Sequence, residues 1–169
     1  MDKYKGRKVN ITVNHIKMIN NLNNAKRKSD KLILFSLIYF SQIFADKDGI
    51  FGATYNSLAY RVGVSSDSAV RAVDNLISIG YLEAVQRNKR IIGDHFCDKA
   101  PNKYRLLIDM SNNPDDIIYS FEFSNNIYIH FINCYTICYK QLKFNNVPRW
   151  IRDAINKHRK NSSSILNTD

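Results

Sequence analysis

Between Ser65 and Gly80 the sequence sets Ser66, Asp67, Ser68, Arg71 and Asn75 on one side of a helical pattern whose other side, Ala69, Val73 and Leu76, is apolar. Short hydroxyl, amide and guanidinium groups on the first and middle turns of a helix can hydrogen-bond base edges and phosphates. Arg71 offers most, since a guanidinium pairs bidentately with guanine, whereas Asp67 either caps the helix or accepts from cytosine N4. A second set, Arg87, Lys89, Arg90 and Lys99, lies in a loop that also holds Asp94 and Asp98. Cations of that kind hold a phosphate backbone without reading its sequence. The run Lys26, Arg27, Lys28 reads equally as a backbone-tracking arm or a solvated helix end. The same choice applies to Arg149, Arg152, Lys157, Arg159 and Lys160, which either grip phosphate or stand near a helix C-terminus where the dipole favours cations.

Other chemistry has less support. His130, Cys134 and Cys138 recur at four-residue spacing, and His95 and Cys97 offer further nitrogen and sulfur. A structural zinc site draws its ligands in close pairs, and no CxxC exists here. The two thiols therefore read as small core residues beside His130, with no metal and no other cofactor expected. There is no phosphate-binding glycine loop, GxSxG elbow or HExxH helix. Asp46 and Asp48 flank a turn, and Asp115 and Asp116 fall in a loop, so the carboxylates form no cluster. Tyr128, Tyr135 and Tyr139 lack the paired histidines that hold a metal in relaxases. The chain reads as a binding protein rather than an enzyme.

The elements that would position these residues follow from periodicity. Leu58, Ala59 and Val62 share a helical face, Gly63 permits a left-handed turn, and Val64 fills the space between two helices. The second helix opens on Ser65 or Ser66 as N-cap and stops at Gly80 as C′ residue. Tyr81 to Gln86 and Lys103 to Ile108 then alternate as two strands around the basic loop. Upstream, Leu32 to Phe44 is apolar nearly all round, which requires cover from the C-terminal segment or a second subunit. Asp48 to Gly52 reads as a short strand. Lys8 to Asn14 alternates like another, and His15 to Lys28 has helical spacing, with Ser29 and Asp30 as the cap of the next helix. Beyond the loop SNNPDD, residues 117 to 144 read as a strand-like entry followed by a helix. Val147 to Lys160 is amphipathic, and NSSSILNTD reads as a disordered tail.

The expected fold is mainly α with a small β-hairpin, in the α+β class: a winged helix-turn-helix over 29–109, a basic arm over 1–28, a helical extension over 115–160 and a tail over 161–169. The order of the apolar helix, the Asp-Gly-Ile-Phe-Gly strand, the Leu-Ala helix, the Val-Ser-Ser turn, the Ile-Gly-Tyr-Leu exit and the Asn-Lys-Tyr-Arg-Leu return resembles the winged-helix domains of phage and plasmid replication initiators and replisome organisers, and winged-helix repressors generally. The resemblance spans Ser29 to Asp109. It implies DNA contact by the positions from Ser66 to Arg71 and by the wing, and it leans towards replication.

Composition agrees with a polyanionic partner. The 169 residues carry 25 Lys plus Arg against 15 Asp plus Glu, a formal net charge of +10. Residues 1–30 hold eight bases and two acids, residues 31–110 ten and eight, so the surplus lies largely outside the winged segment. No apolar run approaches the roughly 20 residues of a membrane span, and the start MDKYKGRKVN lacks a secretory apolar region, so a cytoplasmic setting is expected. The expected partners are double-stranded DNA, a second copy of the chain, and a replication or conjugation protein. A transcriptional repressor, and an adaptor that docks proteins on the winged helix and the aromatic C-terminal segment, are the alternatives.

Overall fold

The helix from Lys28 to Phe44 organises the molecule, because it is buried over nearly its whole circumference: Leu32, Ile33, Leu34, Phe35, Leu37, Ile38 and Tyr39 are each at most 2% exposed. A helix apolar on every side needs neighbours on every side. The computed structural model, which describes residues 6–22, 28–87, 101–107, 116–141 and 147–166, shows what supplies them. Along the chain come β1 (Lys8–Thr12), α1 (Val13–Asn20), α2 (Lys28–Phe44), β2 (Ile50–Ala53), α3 (Tyr55–Val62), α4 (Ser66–Ser78), β3 (Leu82–Gln86), β4 (Asn102–Leu106), β5 (Ile117–Glu122), α5 (Tyr128–Gln141) and α6 (Arg149–Leu166). The fold is mixed α+β, with six helices and two small antiparallel sheets among the described residues.

On one side of α2 lie α3, α4 and a three-stranded sheet of order β2-β4-β3. Ser36 Oγ donates to the Leu58 carbonyl at 3.0 Å, joining α2 to α3. Phe51 of β2 is in register with Tyr104 of β4, and their buried rings lie 6.1 Å apart. The strand entering this sheet starts two residues later than expected, because Asp46 holds the preceding turn: its Oδ1 accepts from Asp48 N at 2.8 Å and Ile50 N at 3.0 Å.

The other side of α2 is covered by the chain's own ends. β1 and β5 pair antiparallel, with Val9 opposite Phe121 and Ile11 opposite Tyr119. Phe121 stacks between Phe35 and Tyr39 at centroid distances of 6.2 and 6.0 Å, and Phe131 of α5 meets Phe35 edge-on at 5.4 Å. The cover is thus intramolecular. Gln42 of α2 exchanges two 2.8 Å hydrogen bonds with the Asn10 backbone, as a neighbouring strand would. Packing therefore runs across the compositional boundaries at 28 and 109: one buried cluster extends from Val9 to Ile155.

Three further expectations about the ends of elements need correction. α1 stops at Asn20 rather than near Lys28, and Lys31 explains the stop. Its buried Nζ donates to the carbonyls of Ile19, Asn20 and Leu22 at 2.9, 3.2 and 3.1 Å, taking acceptors that a helix end leaves open. Burial lowers the Lys31 pKa to about 8, against an opposing pull from Asp30. Secondly, Ser29 and Asp30 lie inside α2 and do not cap it, and Asp30 is buried in the first turn. Finally, α6 continues to Leu166, past the point where the tail was expected. Ser and Asn have modest helix propensity, yet propagating an anchored helix adds one hydrogen bond per residue fixed.

Candidate nucleic-acid interface

α3 and α4 are set by their caps. Thr54 and Ser57 form a reciprocal capping box at the start of α3, with Ser57 N to Thr54 Oγ1 at 3.0 Å and Thr54 N to Ser57 Oγ at 3.1 Å. Gly63 ends α3 at φ +74°, and Val64 N donates to the Ala59 carbonyl. Ser65, one of the two expected N-caps, opens α4 by accepting from Ser68 N at 3.1 Å. Gly80 at φ +87° closes it in a Schellman arrangement, with Gly80 N to Ile77 O and Tyr81 N to Leu76 O. The chain then enters β3 directly.

Ala69, Ala72, Val73 and Leu76 bury the inner face of α4. Asp67, Arg71, Asp74 and Ser78 form an exposed stripe at helical spacing on the other side. Arg71 has no hydrogen-bond or ion-pair partner among the described residues, so its guanidinium is available to a ligand. Ser66 and Ser68 are half-buried and already engaged. Ser66 Oγ donates to Asn56 Oδ1 across the α3–α4 junction, and Ser65 Oγ donates to Ser68 Oγ at 2.9 Å.

Two expected contact residues have other partners. Asn75 turns inward, where its Nδ2 donates to Asp30 Oδ2 at 2.8 Å and ties α4 to α2. The sequence pattern sets it on the outer polar side, and the carboxylate on α2 draws it in instead. Arg87, at the end of β3, folds back onto the helices: it pairs with Asp74, and its Nε and Nη2 donate to Tyr55 Oη at 2.9 and 2.7 Å. No local spacing announced that contact, which joins residues 13 and 32 positions away. Lys28 stands exposed at the start of α2 with its ammonium 5.6 Å from the Trp150 ring centroid, beside α6. Lys26, Arg27, Lys89, Arg90, His95, Cys97 and Lys99 lie outside the described residues.

Sequence reasoning missed Arg61 and Tyr60. Arg61 sits 5.2 to 5.6 Å from the ring centroids of Tyr39, Phe40 and Phe123, and its Nη1 donates to the Ser124 carbonyl and Asn125 Oδ1, both at 3.2 Å. It thus fastens α3 to the segment after β5. Tyr60, next to it on α3, is 75% exposed. Neither belongs to a motif. On α6, Arg152 and Lys157 are exposed, and Arg149 lies 3.8 Å from Asp153.

The cysteines of α5 are parts of the core, and its histidine is half-buried at the edge of it. Cys134 and Cys138 are fully buried, and burial pushes the Cys138 thiol up to about 12 and that of Cys134 well above its ordinary value. A thiol held neutral is a poor metal ligand. His130 stacks on Phe121 at 4.1 Å, and its Nδ1 lies 2.8 Å from Tyr119 Oη. Among the described residues no three His, Cys, Asp or Glu side chains gather as a metal site, and no helix is long and apolar enough to cross a membrane. The chain matches no family model, no curated protein and no solved structure.

Proposed function

We propose that the chain binds duplex DNA through a winged helix-turn-helix made of α2, α3, α4 and the β2-β4-β3 sheet, with α4 in the major groove. One observation carries this reading: two helices joined at Gly63 lead without a break into a sheet whose middle strand, β4, returns from a basic loop and pairs with both β2 and β3. That arrangement leaves the outer face of α4 on the surface. Arg71 is the base-reading residue, and a net charge of +10 supplies sequence-independent attraction. The chain acts by occupying its site, as a replication initiation or accessory protein of a mobile element or as a repressor.

A second reading has its own support, since the outer face of α4 is electrically balanced: Asp67 and Asp74 stand against Arg71 and Arg87, and Arg87 is already paired with Asp74. A face of that balance suits a protein partner better than it suits phosphate. Selection from a randomised duplex library, followed by anisotropy titrations across a salt series, separates the two. A recovered motif bound tightly at physiological salt supports DNA reading, and weak salt-labile binding with no motif supports docking of a protein.

A further inference from the structure

Beside the α3–α4 turn and away from the outer stripe of α4, an open cleft of about 450 Å³ is lined by Lys28, Leu32, Tyr60, Val62, Gly63, Asn125, Asn126 and Tyr128. Its floor is apolar, since Leu32 and Val62 belong to the core. Two aromatic rings line it, and one of them, Tyr60, is the most exposed large hydrophobic residue among those described. Tyr128 is held by an aromatic row behind it, with Phe131 at 6.5 Å and Trp150 parallel to Phe131 at 6.0 Å. Lys28, over the outer ring of that row, sets an ammonium at the rim.

The polar groups of the cleft offer donors. Asn125 Oδ1 accepts from Arg61, and Asn126 Oδ1 accepts from Tyr128 N at 3.1 Å, which leaves the NH₂ group of each amide for a ligand. Lys28 adds further N–H donors. A ligand matched to this site has a flat face for the tyrosines, oxygen acceptors on its edge for the amides, and an anion for the lysine. An unpaired nucleotide bearing a keto base has all three. A base inside a duplex does not fit, because its neighbours cover both its faces.

We infer that this cleft binds an unpaired keto base of single-stranded DNA, thymine or guanine, with the base against Tyr60 and Tyr128 and its phosphate near Lys28. This activity is separate from duplex reading by α4. A chain that acts where a duplex opens would use both.

The test is anisotropy of a labelled oligothymidylate and a labelled blunt hairpin duplex, closed by a non-nucleotide linker so that it holds no unpaired base, with the full chain, its Tyr60→Ala, Tyr60→Phe and Arg71→Ala variants. Stacking on one aromatic side chain changes affinity by about tenfold or more. Tyr60→Ala is expected to weaken oligothymidylate binding by about that factor and leave the hairpin unchanged, and Tyr60→Phe to bind as the parent does. Arg71→Ala is expected to leave oligothymidylate binding intact whether or not it affects the hairpin, so failure of the duplex reading is seen separately. Because Tyr60 is exposed, its replacement leaves the core packing in place, and circular dichroism checks this. Equal oligothymidylate affinity for parent and Tyr60→Ala overturns the inference and reassigns the cleft to a peptide or to no ligand. Loss shared by Tyr60→Ala and Tyr60→Phe also overturns it, because the hydroxyl rather than the ring would then be the contact.

Discussion

Arg71, Asn75 and His15 separate three roles that residue type alone does not distinguish. Arg71 is exposed and unpaired, so Arg71→Ala is expected to leave stability unchanged and, under the DNA reading, to cost about 1 to 3 kcal/mol at one base position of the selected site. Equal losses on specific and random duplexes would remove Arg71 from base reading. Asn75 belongs to the same polar run in the sequence, but it donates to buried Asp30. Asn75→Ala is therefore expected to lower folding stability by about 1 to 3 kcal/mol in urea titrations, with base preference unaltered. His15 is buried, and its Nδ1 accepts the Thr12 N–H at 3.0 Å while Thr12 Oγ1 accepts from His15 N at 3.2 Å. Burial depresses its pKa from 6.5 to about 4. Between those values the unfolded chain takes a proton that the folded chain refuses. Stability is therefore complete above pH 6.5, falls as the pH drops towards 4, and loses up to about 3 kcal/mol on that account. Tm measured from pH 7.5 to 4 should fall less steeply for His15→Gln, whose side-chain carbonyl can accept the same N–H.

At the scale of elements, the α3–Gly63–α4–Gly80 unit was legible in the sequence because each part of it is local. Apolar spacing, a serine cap and two glycines at the helix ends are set by neighbours within a few residues, and each is found where expected. Gly63 and Gly80 have positive φ, and an added Cβ would meet nothing within 4 Å at either. Substitution there costs only the left-handed backbone strain, so Gly80→Ala is expected to destabilise by about 1 to 2 kcal/mol in thermal or urea melts, and Gly80→Asn by less. The pairing of Arg87 with Asp74 and Tyr55 was illegible for the opposite reason, since only the folded sheet brings the end of β3 to α4. The limits of α1 and α2 were misjudged for a similar cause. Lys31 ends α1 from a neighbouring helix, an interaction that periodicity does not register.

For the whole molecule, the decisive fact is that α2 is shared. Its apolar circumference predicted cover from either the C-terminal segment or another subunit, and β5 with α5 supplies it from the same chain through Phe121 and Phe131. Which of the two covers α2 depends on the β1–β5 pairing, a contact between residues more than 100 positions apart that no local pattern encodes. Sharing one helix between two sheets couples their stabilities, because loss of either partner exposes part of the apolar circumference of α2 to water. The sole tryptophan, Trp150, reports on α6 through its stacking with Phe131, while far-UV circular dichroism reports on the helices of both halves. Urea unfolding followed by the two signals is expected to give coincident transitions. Phe121→Ala, which empties the contact between the β1–β5 sheet and α2, should move both midpoints together by a loss of about 3 to 5 kcal/mol. Tryptophan fluorescence changing first, with most of the helical signal intact, would mean that α2 retains its fold without the C-terminal cover and that the two halves are separate domains. Coincidence would mean that α4 and the β5–α5 segment form one mechanical unit, so that a ligand in the cleft between α3 and that segment is held rigidly relative to the outer face of α4.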